Sequence, residues 1–277
     1  MDTVAIKTMQ LYSRVERIYD DLRQAGIGDD DRLTVEALSP FDQYHYHGTA
    51  AVETAISVLD IGPTSRVLDV GSGLGGPARV MAARTGCRVT ALELQRDLDR
   101  VAQSLTARCG LAPQIDHVCG DVLETPLEPG SHHAVVSWLA LYHIADPVRL
   151  FARLAHAVVP GGGLYIEDFY RLGDFADHER TVLDQVIYAH SLPLRQDYIA
   201  TVEKAGFTDV RFTDMTASWA DFVAARAAAY RARLADHAAR HGADVAGGLD
   251  GFYQAVVKLF QGGHFAGVRL TAKRTRE

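Results

Sequence analysis

Four glycines placed directly behind a short apolar run leave this chain few ways to fold. Arg66-Val67-Leu68-Asp69-Val70 is followed by Gly71-Ser72-Gly73-Leu74-Gly75-Gly76-Pro77, and then by Ala78-Arg79-Val80-Met81-Ala82-Ala83. That order reads as strand, tight turn and helix. Gly71, Gly73 and Gly76 satisfy the spacing G-x-G-x-x-G, so a dinucleotide site has to be considered. Asp69 argues the other way. A carboxylate two residues before the first glycine would repel a pyrophosphate held in a partly dehydrated turn. It suits a ligand with an ammonium group and no phosphate.

A length of 277 residues with 48% hydrophobic content suffices for one large α/β domain, alone or with a helical annex. The net charge of -7 offers no broad electrostatic footprint for nucleic acid, and Lys273, Arg274 and Arg276 read as a solvated tail. Cys87, Cys109 and Cys119 are odd in number and lack C-x-x-C spacing, so they read as reduced thiols of a cytoplasmic protein. The N-terminus opens into charge-bearing sequence, with neither a signal peptide nor a membrane span in view.

Residues Val4 to Gly26 pattern as one or two amphipathic helices, with Ile6, Met9, Leu11, Val15, Ile18, Tyr19 and Leu22 roughly on one face. The aromatic and histidine-rich segment Phe41 to Gly48 follows, and Thr49 to Ile56 reads as a helix. Strands are expected at Arg66-Val70, Arg88-Leu92, Gln114-Cys119, Ala134-Trp138 and Gly163-Asp168, with helices between most of them at βαβ spacing. Right-handed crossovers turn such a series into a doubly wound parallel sheet. A strand at Asp209-Thr213 and a final strand at Gly267-Lys273 flank an alanine-rich helical stretch. The expected organisation is an N-terminal helical lid over residues 1–60 and a main α/β domain over 61–277, with helical insertions at about 171–200 and 216–260.

Ligands of a doubly wound sheet sit beyond the carboxyl ends of its strands. Glu93, 22 residues after Gly71, stands where a carboxylate can take both ribose hydroxyls, with Leu94 beside it. Asp121 ends the third strand, where it accepts from an adenine amino group or caps a short turn.

With these residues in place, Val67 to Asp168 resembles the core of a class I S-adenosylmethionine (SAM)-dependent methyltransferase. The glycine loop, Glu93, Gly120-Asp121, Trp138-Leu139 with His143-Ile144-Ala145-Asp146, and Val159-Pro160-Gly161-Gly162-Gly163 carry the resemblance. It implies a seven-stranded sheet with an antiparallel last strand near Gly267 to Lys273. It also implies that Gly71 and Gly73 approach the methionine part of SAM, that Asp69 serves its ammonium, that Val122 flanks the adenine and that Leu139 lies near the methionine moiety. The loop together with Asp42-Gln43-x-His45-x-x-Gly48 is similar to small-metabolite enzymes: sarcosine/dimethylglycine and phosphoethanolamine N-methyltransferases, and sugar O-methyltransferases of natural-product pathways. In those enzymes the upstream segment closes over SAM, which nominates Gln43, Tyr46 and Gly48 for that contact.

Methyl transfer from a sulfonium is an in-line displacement that needs alignment, exclusion of water and a base only where the acceptor sheds a proton. His143, where some related enzymes place a histidine near the acceptor, is the candidate base, the alternative being a structural histidine bonded to a carbonyl. Some small-amine enzymes carry an acid four positions before this histidine. Leu139 stands there here, which speaks against a charged amine acceptor. Tyr19, Asp168, Tyr188 and Trp219 are candidates for the acceptor pocket, within a wider aromatic set that includes Tyr12 and Phe252. His45, His47, His132 and His133 invite a metal, but no carboxylate or cysteine is spaced to complete a site, so none is expected. The reading is therefore O- or N-methylation of a small metabolite. C-methylation of an activated ring stands second, and a dinucleotide-dependent oxidoreductase or a non-catalytic SAM-binding domain are the rivals of other classes. The sequence leaves the oligomeric state open, a homodimer being one option.

Overall fold

In the computed structural model, which describes residues 9–276, the strand run at the glycine loop forms the middle of one sheet. Its seven strands are β1 Arg66–Val70, β2 Arg88–Glu93, β3 Ile115–Cys119, β4 His132–Trp138, β5 Val158–Arg171, β6 Phe207–Asp214 and β7 Phe265–Arg274. Their spatial order is β3-β2-β1-β4-β5-β7-β6, with β1 to β5 parallel and β7 antiparallel to both β5 and β6. The order reverses between β1 and β4. The crevice beyond their carboxyl ends is the topological position for a ligand.

The helices in chain order are α1 Arg17–Gln24, α2 Val35–Asp42, α3 Gly48–Leu59, α4 Gly76–Thr85, α5 Arg96–Arg108, α6 Pro147–Ala157, α7 Asp177–Val182, α8 Arg195–Lys204, α9 Thr216–Ala232, α10 Leu234–His241 and α11 Ala243–Gly262. Local chemistry starts and stops them. Asp146 caps α6 by accepting from the Arg149 backbone N–H at 2.9 Å, with Pro147 in the first turn, where its missing N–H costs nothing. Gly86, at φ +75°, ends α4 in the left-handed conformation that spares glycine a Cβ clash.

Alternation along β1 divides the core. Leu68 and Val70 pack with Val135, Leu150 and Leu154 on one face, whereas Val67 packs with Val52, Ala55, Val80 and Met81 on the other. A third cluster, rich in aromatics, joins Trp219, Phe252, Phe260 and Phe265 to Tyr46, Tyr142 and Phe169. A fourth sets Val15, Ile18 and Leu22 of the N-terminal segment against Leu98, Val101 and Leu105 of α5.

Three expectations are corrected in detail. The N-terminal amphipathic stretch is a short turn at Gln10–Tyr12 and then α1, because Arg14 adopts φ +51° and breaks the helix between them. Val4 and Ile6 of that stretch lie outside the described residues. β5 begins at Val158 and runs through Pro160 to Gly163, where a register shift against His132 and Ala134 absorbs the extra residues as a bulge. β6 starts at Phe207, and Asp209 at φ +53° sits in its own register shift. Among the described residues no helix is long and apolar enough to cross a membrane.

Candidate active site

The loop after β1 is pinned to the end of β2. Gly71 and Ser72 donate their backbone N–H groups to the Leu92 carbonyl at 2.9 and 3.1 Å, and Gly73 donates to Glu93 Oε2 at 2.9 Å. Two of its glycines are required for different reasons. Gly71, at φ +73°, leaves no room for a Cβ, which would collide with the Ala140 side chain. Gly73, at φ +55°, faces open space.

That space belongs to two cavities that meet at the loop. The larger, of about 940 Å³ with its mouth, is lined by Asp69, Ser72, Trp138 and Leu139 on the sheet side and by Tyr12, Tyr44, Tyr46, Tyr142, Phe169 and Phe252 around them. The smaller, of about 580 Å³, is lined by Glu93, Leu94, Gln95, Asp121, Val122 and His143. Tyr12, Gly71 and Gly73 border both.

Both cavities present buried polar atoms that lack a partner. In the larger these are Asp69 Oδ2, Ser72 Oγ and Trp138 Nε1; in the smaller, Gln95 Oε1 and His143 Nε2. A buried polar atom left unpaired costs about 1–3 kcal/mol, so a ligand that satisfies several of them gains accordingly. Asp69 is 1% exposed, and burial with the neighbouring Glu93 pushes its carboxyl up to about 8. Glu93 is raised to about 7 by burial, although it accepts from the Gly73 and Gln95 backbone N–H groups. Burial therefore disfavours the charged forms of both carboxyls, and a cation beside them would favour ionisation. SAM, the cofactor implied by the resemblance, fits them: it brings an ammonium group to a carboxylate cavity and has no phosphate for that cavity to repel.

His143 is buried, with Nδ1 2.8 Å from the Tyr188 carbonyl oxygen, so Nδ1 carries the hydrogen and Nε2 keeps its lone pair. Burial pushes its pKa down to about 4. Its ring lies 3.9 Å, centroid to centroid, from Tyr142, and 6.4 Å from Tyr12 in an edge-on arrangement. The structural reading and the chemical one thus coexist in a single imidazole.

The segment between α2 and α3 forms a wall of the larger cavity and is gripped from α9. Arg226 donates to the carbonyls of Tyr44 at 3.1 Å and His45 at 2.8 Å, and its guanidinium lies 5.5 Å from the Tyr46 ring centre. His45 Nε2 sits 3.0 Å from the Gly48 carbonyl, and His47 Nε2 3.0 Å from Ser218 Oγ. Among the described residues no three histidine, cysteine or acidic side chains gather around a point that would hold a metal.

Of the residues nominated from sequence, Tyr46, Asp69, Gly71, Gly73 and Leu139 line the larger cavity, and Glu93, Leu94, Asp121, Val122 and His143 the smaller. Asp121 also closes a turn, accepting from the Leu123 N–H at 2.8 Å. Gln43 is not in the lining of either: it donates to Asp42 Oδ1 at 2.8 Å, packs its amide nitrogen beside Gly76 of the loop and lines the outer cleft, with its buried Oε1 unpaired. Gly48 opens α3 behind the wall. The four pocket candidates fall outside the larger cavity. Tyr19 packs with the α1–α5 cluster, Asp168 accepts from the Phe169 N–H at 2.8 Å and faces a smaller cavity, Tyr188 lends its carbonyl to His143, and Trp219 is fully buried behind Tyr46 and Phe169. Ser72, Gln95, Trp138, Tyr142, Phe169, Arg226 and Tyr253 join the lining without having been singled out for it. The aromatic density of α11 and of the strand ends was the available signal for the rings; nothing in the spacing marked Arg226.

Residues 68–166 match the family model described as a methyltransferase domain. Methyltransferase GfsG of Streptomyces halstedii is 28% identical over 181 residues, covering 64% of this chain and 65% of that protein. Sarcosine/dimethylglycine N-methyltransferase of Halorhodospira halochloris is 26% identical over 200 residues, covering 72% and 65%. In fold, the chain is similar to Haemonchus contortus phosphoethanolamine N-methyltransferase 2 in complex with S-adenosyl-L-methionine, with a TM-score of 0.79 at 20% identity over 93% of this chain and 60% of that one. The matches thus span a little under two thirds of the length of each of these proteins.

Proposed function

Since the chain carries a methyltransferase domain of the class I fold, we propose that it transfers the methyl group of SAM to an oxygen or nitrogen of a small acceptor whose methylated end is uncharged and largely apolar. The observation that carries this reading is the pair of cavities meeting at Tyr12, Gly71 and Gly73, the smaller carrying Glu93 and Asp121 and the larger walled by aromatic rings with Asp69 on its sheet side, both with unpaired buried polar atoms.

In this reading Asp69 takes the ammonium of the cofactor, Glu93 its ribose hydroxyls and Asp121 its adenine amino group, with Val122 and Leu94 against the ring. Bound SAM supplies an electrophilic methyl on a sulfonium. The chain's own task is to align the acceptor with that methyl and exclude water. Tyr12, Tyr46 and Tyr142 close the larger cavity around the acceptor, and the segments 9–60 and 216–260 serve as its lid. Asp42, the other carboxylate of that cavity, is already engaged by Arg79, so none is left to hold an ammonium acceptor. Leu139 agrees with this, as an apolar residue at the cavity wall. An attacking hydroxyl becomes strongly acidic as it gains the methyl, and His143 Nε2 receives its proton even with a depressed pKa. C-methylation of a flat activated ring is the second reading, favoured by the aromatic walls.

Calorimetry with SAM and with NAD tests the cofactor. Binding of SAM, weakened by Glu93→Ala, is expected; binding of NAD alone defeats the reading. Mass spectrometry across a panel of hydroxyl and amine acceptors, with and without a distal phosphate or carboxylate, then tests turnover. SAM binding with no product from any of them would leave a cofactor-binding domain without transferase activity.

A further inference from the structure

Outside the two cavities lies a wider cleft of about 1220 Å³ between the N-terminal segment and the helices α9 to α11. It adjoins the aromatic cavity, with Leu11, Tyr44, Arg226 and Tyr253 lining both. Its charge runs against that of the chain. Arg17, Arg226, Arg233 and Arg240 line it against a single carboxylate, Asp21, in a protein of net charge -7.

Asp21 is already engaged. It accepts from Arg240 at 2.6 Å and lies 3.0 Å from His241 Nε2, so it neutralises its own corner of the cleft. Arg233 has only the exposed Asp236 at 3.7 Å. Among the described residues Arg17 and Arg226 ion-pair with no carboxylate: Arg17 donates to the carbonyls of Ser13 and Leu11 and to the Tyr44 hydroxyl, and Arg226 to two further carbonyls. Arg17 is only 6% exposed. A guanidinium withdrawn from water with neutral partners alone keeps an uncompensated charge, which a bound anion would offset.

We propose that this cleft is an oxyanion subsite for the acceptor: the apolar end of the substrate enters the aromatic cavity, and a phosphate monoester or carboxylate at its other end rests on Arg17, Arg226 and Arg233. The inference rests on the methyltransferase reading for its biological sense and refines it, the uncharged part of the acceptor being the end that is methylated. Arg17 and Arg226 already donate through both Nη atoms to protein acceptors and so act on either oxyanion by their charge, whereas the exposed Arg233 supplies the guanidinium fork.

The test is a binding experiment on the whole chain with octyl phosphate, octanoate and octanol, by calorimetry without SAM. The first two ligands are expected to bind at least about tenfold more tightly than octanol, the value of one charge-assisted contact. That preference should shrink on going from about 0.05 to about 0.5 M NaCl. Arg233→Gln and Arg17→Met are each expected to reduce it, while Arg88→Gln, exposed at the amino end of β2 and absent from the cleft lining, leaves it intact. Equal affinity for octanol and octyl phosphate overturns the proposal, as does a preference indifferent to both arginine variants. Preference for octyl phosphate over octanoate assigns the subsite to phosphate esters, and the reverse to carboxylates. S-adenosylhomocysteine titrated into the same samples separates the two readings: its failure to bind defeats the methyltransferase reading, whereas the anion preference decides the subsite.

Discussion

Arg79 Nη2 and Asp42 Oδ2 lie 2.8 Å apart with their side chains 0% and 1% exposed. The same guanidinium donates to the Leu74 carbonyl in the glycine loop and to Thr106 Oγ1 at 3.0 Å. One side chain thus ties the end of α2, the start of α4 and the last turn of α5 together behind the glycine loop. Removing either partner strands a buried charge, so Arg79→Met and Asp42→Leu are each expected to cost about 3–5 kcal/mol. Arg79→Met combined with Asp42→Leu should recover much of that loss, because it removes both charges. Urea unfolding of the three variants checks this, and full additivity of the single losses would refute the pairing.

Asp69 makes the ligand-free protein sensitive to pH. Its carboxyl moves from 3.8 in the unfolded chain to about 8 in the fold. Between those values the folded state holds a proton that the unfolded chain releases, so stability falls as pH rises from about 4 to about 8. Glu93 contributes in the same direction, from 4.5 to about 7. Asp69→Asn removes the larger part of this cost. The variant is expected to be more stable than the parent at pH 8 by about 1–3 kcal/mol, yet to bind SAM at least about tenfold more weakly for want of a charge-assisted contact. Parent affinity for SAM should rise between pH 6 and pH 8 as the carboxyl loses its proton, and calorimetry in buffers of different ionisation enthalpy would register the proton released.

Gly71 and Gly73 separate folding from binding. A methyl at Gly71 collides with Ala140 and sits at φ +73°, so Gly71→Ala is expected to lower stability by about 2 kcal/mol or more. At Gly73 the methyl meets no atom within 4 Å, and only the left-handed backbone is penalised, by about 1–2 kcal/mol. It intrudes instead into the space where the ligand belongs. Gly73→Ala should therefore fold and lose SAM affinity. Thermal unfolding and calorimetry of both variants report the two effects independently.

The sheet was legible because its strands are short apolar runs with turn residues at each end, and the family resemblance implied the antiparallel last strand. The positions of Asp69, Glu93 and Asp121 were legible for a related reason: topology alone carries all three to the carboxyl ends of their strands. The acceptor side was not. Tyr12, Arg226, Phe252 and Tyr253 come from segments separated by about two hundred residues, and no local periodicity records which ring faces inward once an insertion folds over. Trp219 illustrates the ambiguity. By composition it suits a binding wall, but its indole packs against Gly267, where only a missing side chain admits it. Gln43 stands beside the loop rather than in the cavity lining, donating to Asp42 and packing against Gly76.

His143 gives the last prediction. With its pKa pushed down to about 4, the imidazole is neutral across the working range, and the Tyr188 carbonyl fixes the hydrogen on Nδ1. The kcat profile should therefore carry no inflection from His143 between pH 5 and pH 8. Any acid limb in kcat/KM for SAM belongs to Asp69 and Glu93, whose carboxyls sit near 8 and 7. His143→Ala is expected to lower kcat by about a hundredfold, the lower range for a lost proton acceptor. His143→Gln can replace the hydrogen bond to Tyr188 but cannot take a proton. If His143→Gln restores stability and leaves kcat low, the lone pair at Nε2 matters; if it restores kcat as well, the residue is structural and the proton leaves by another route.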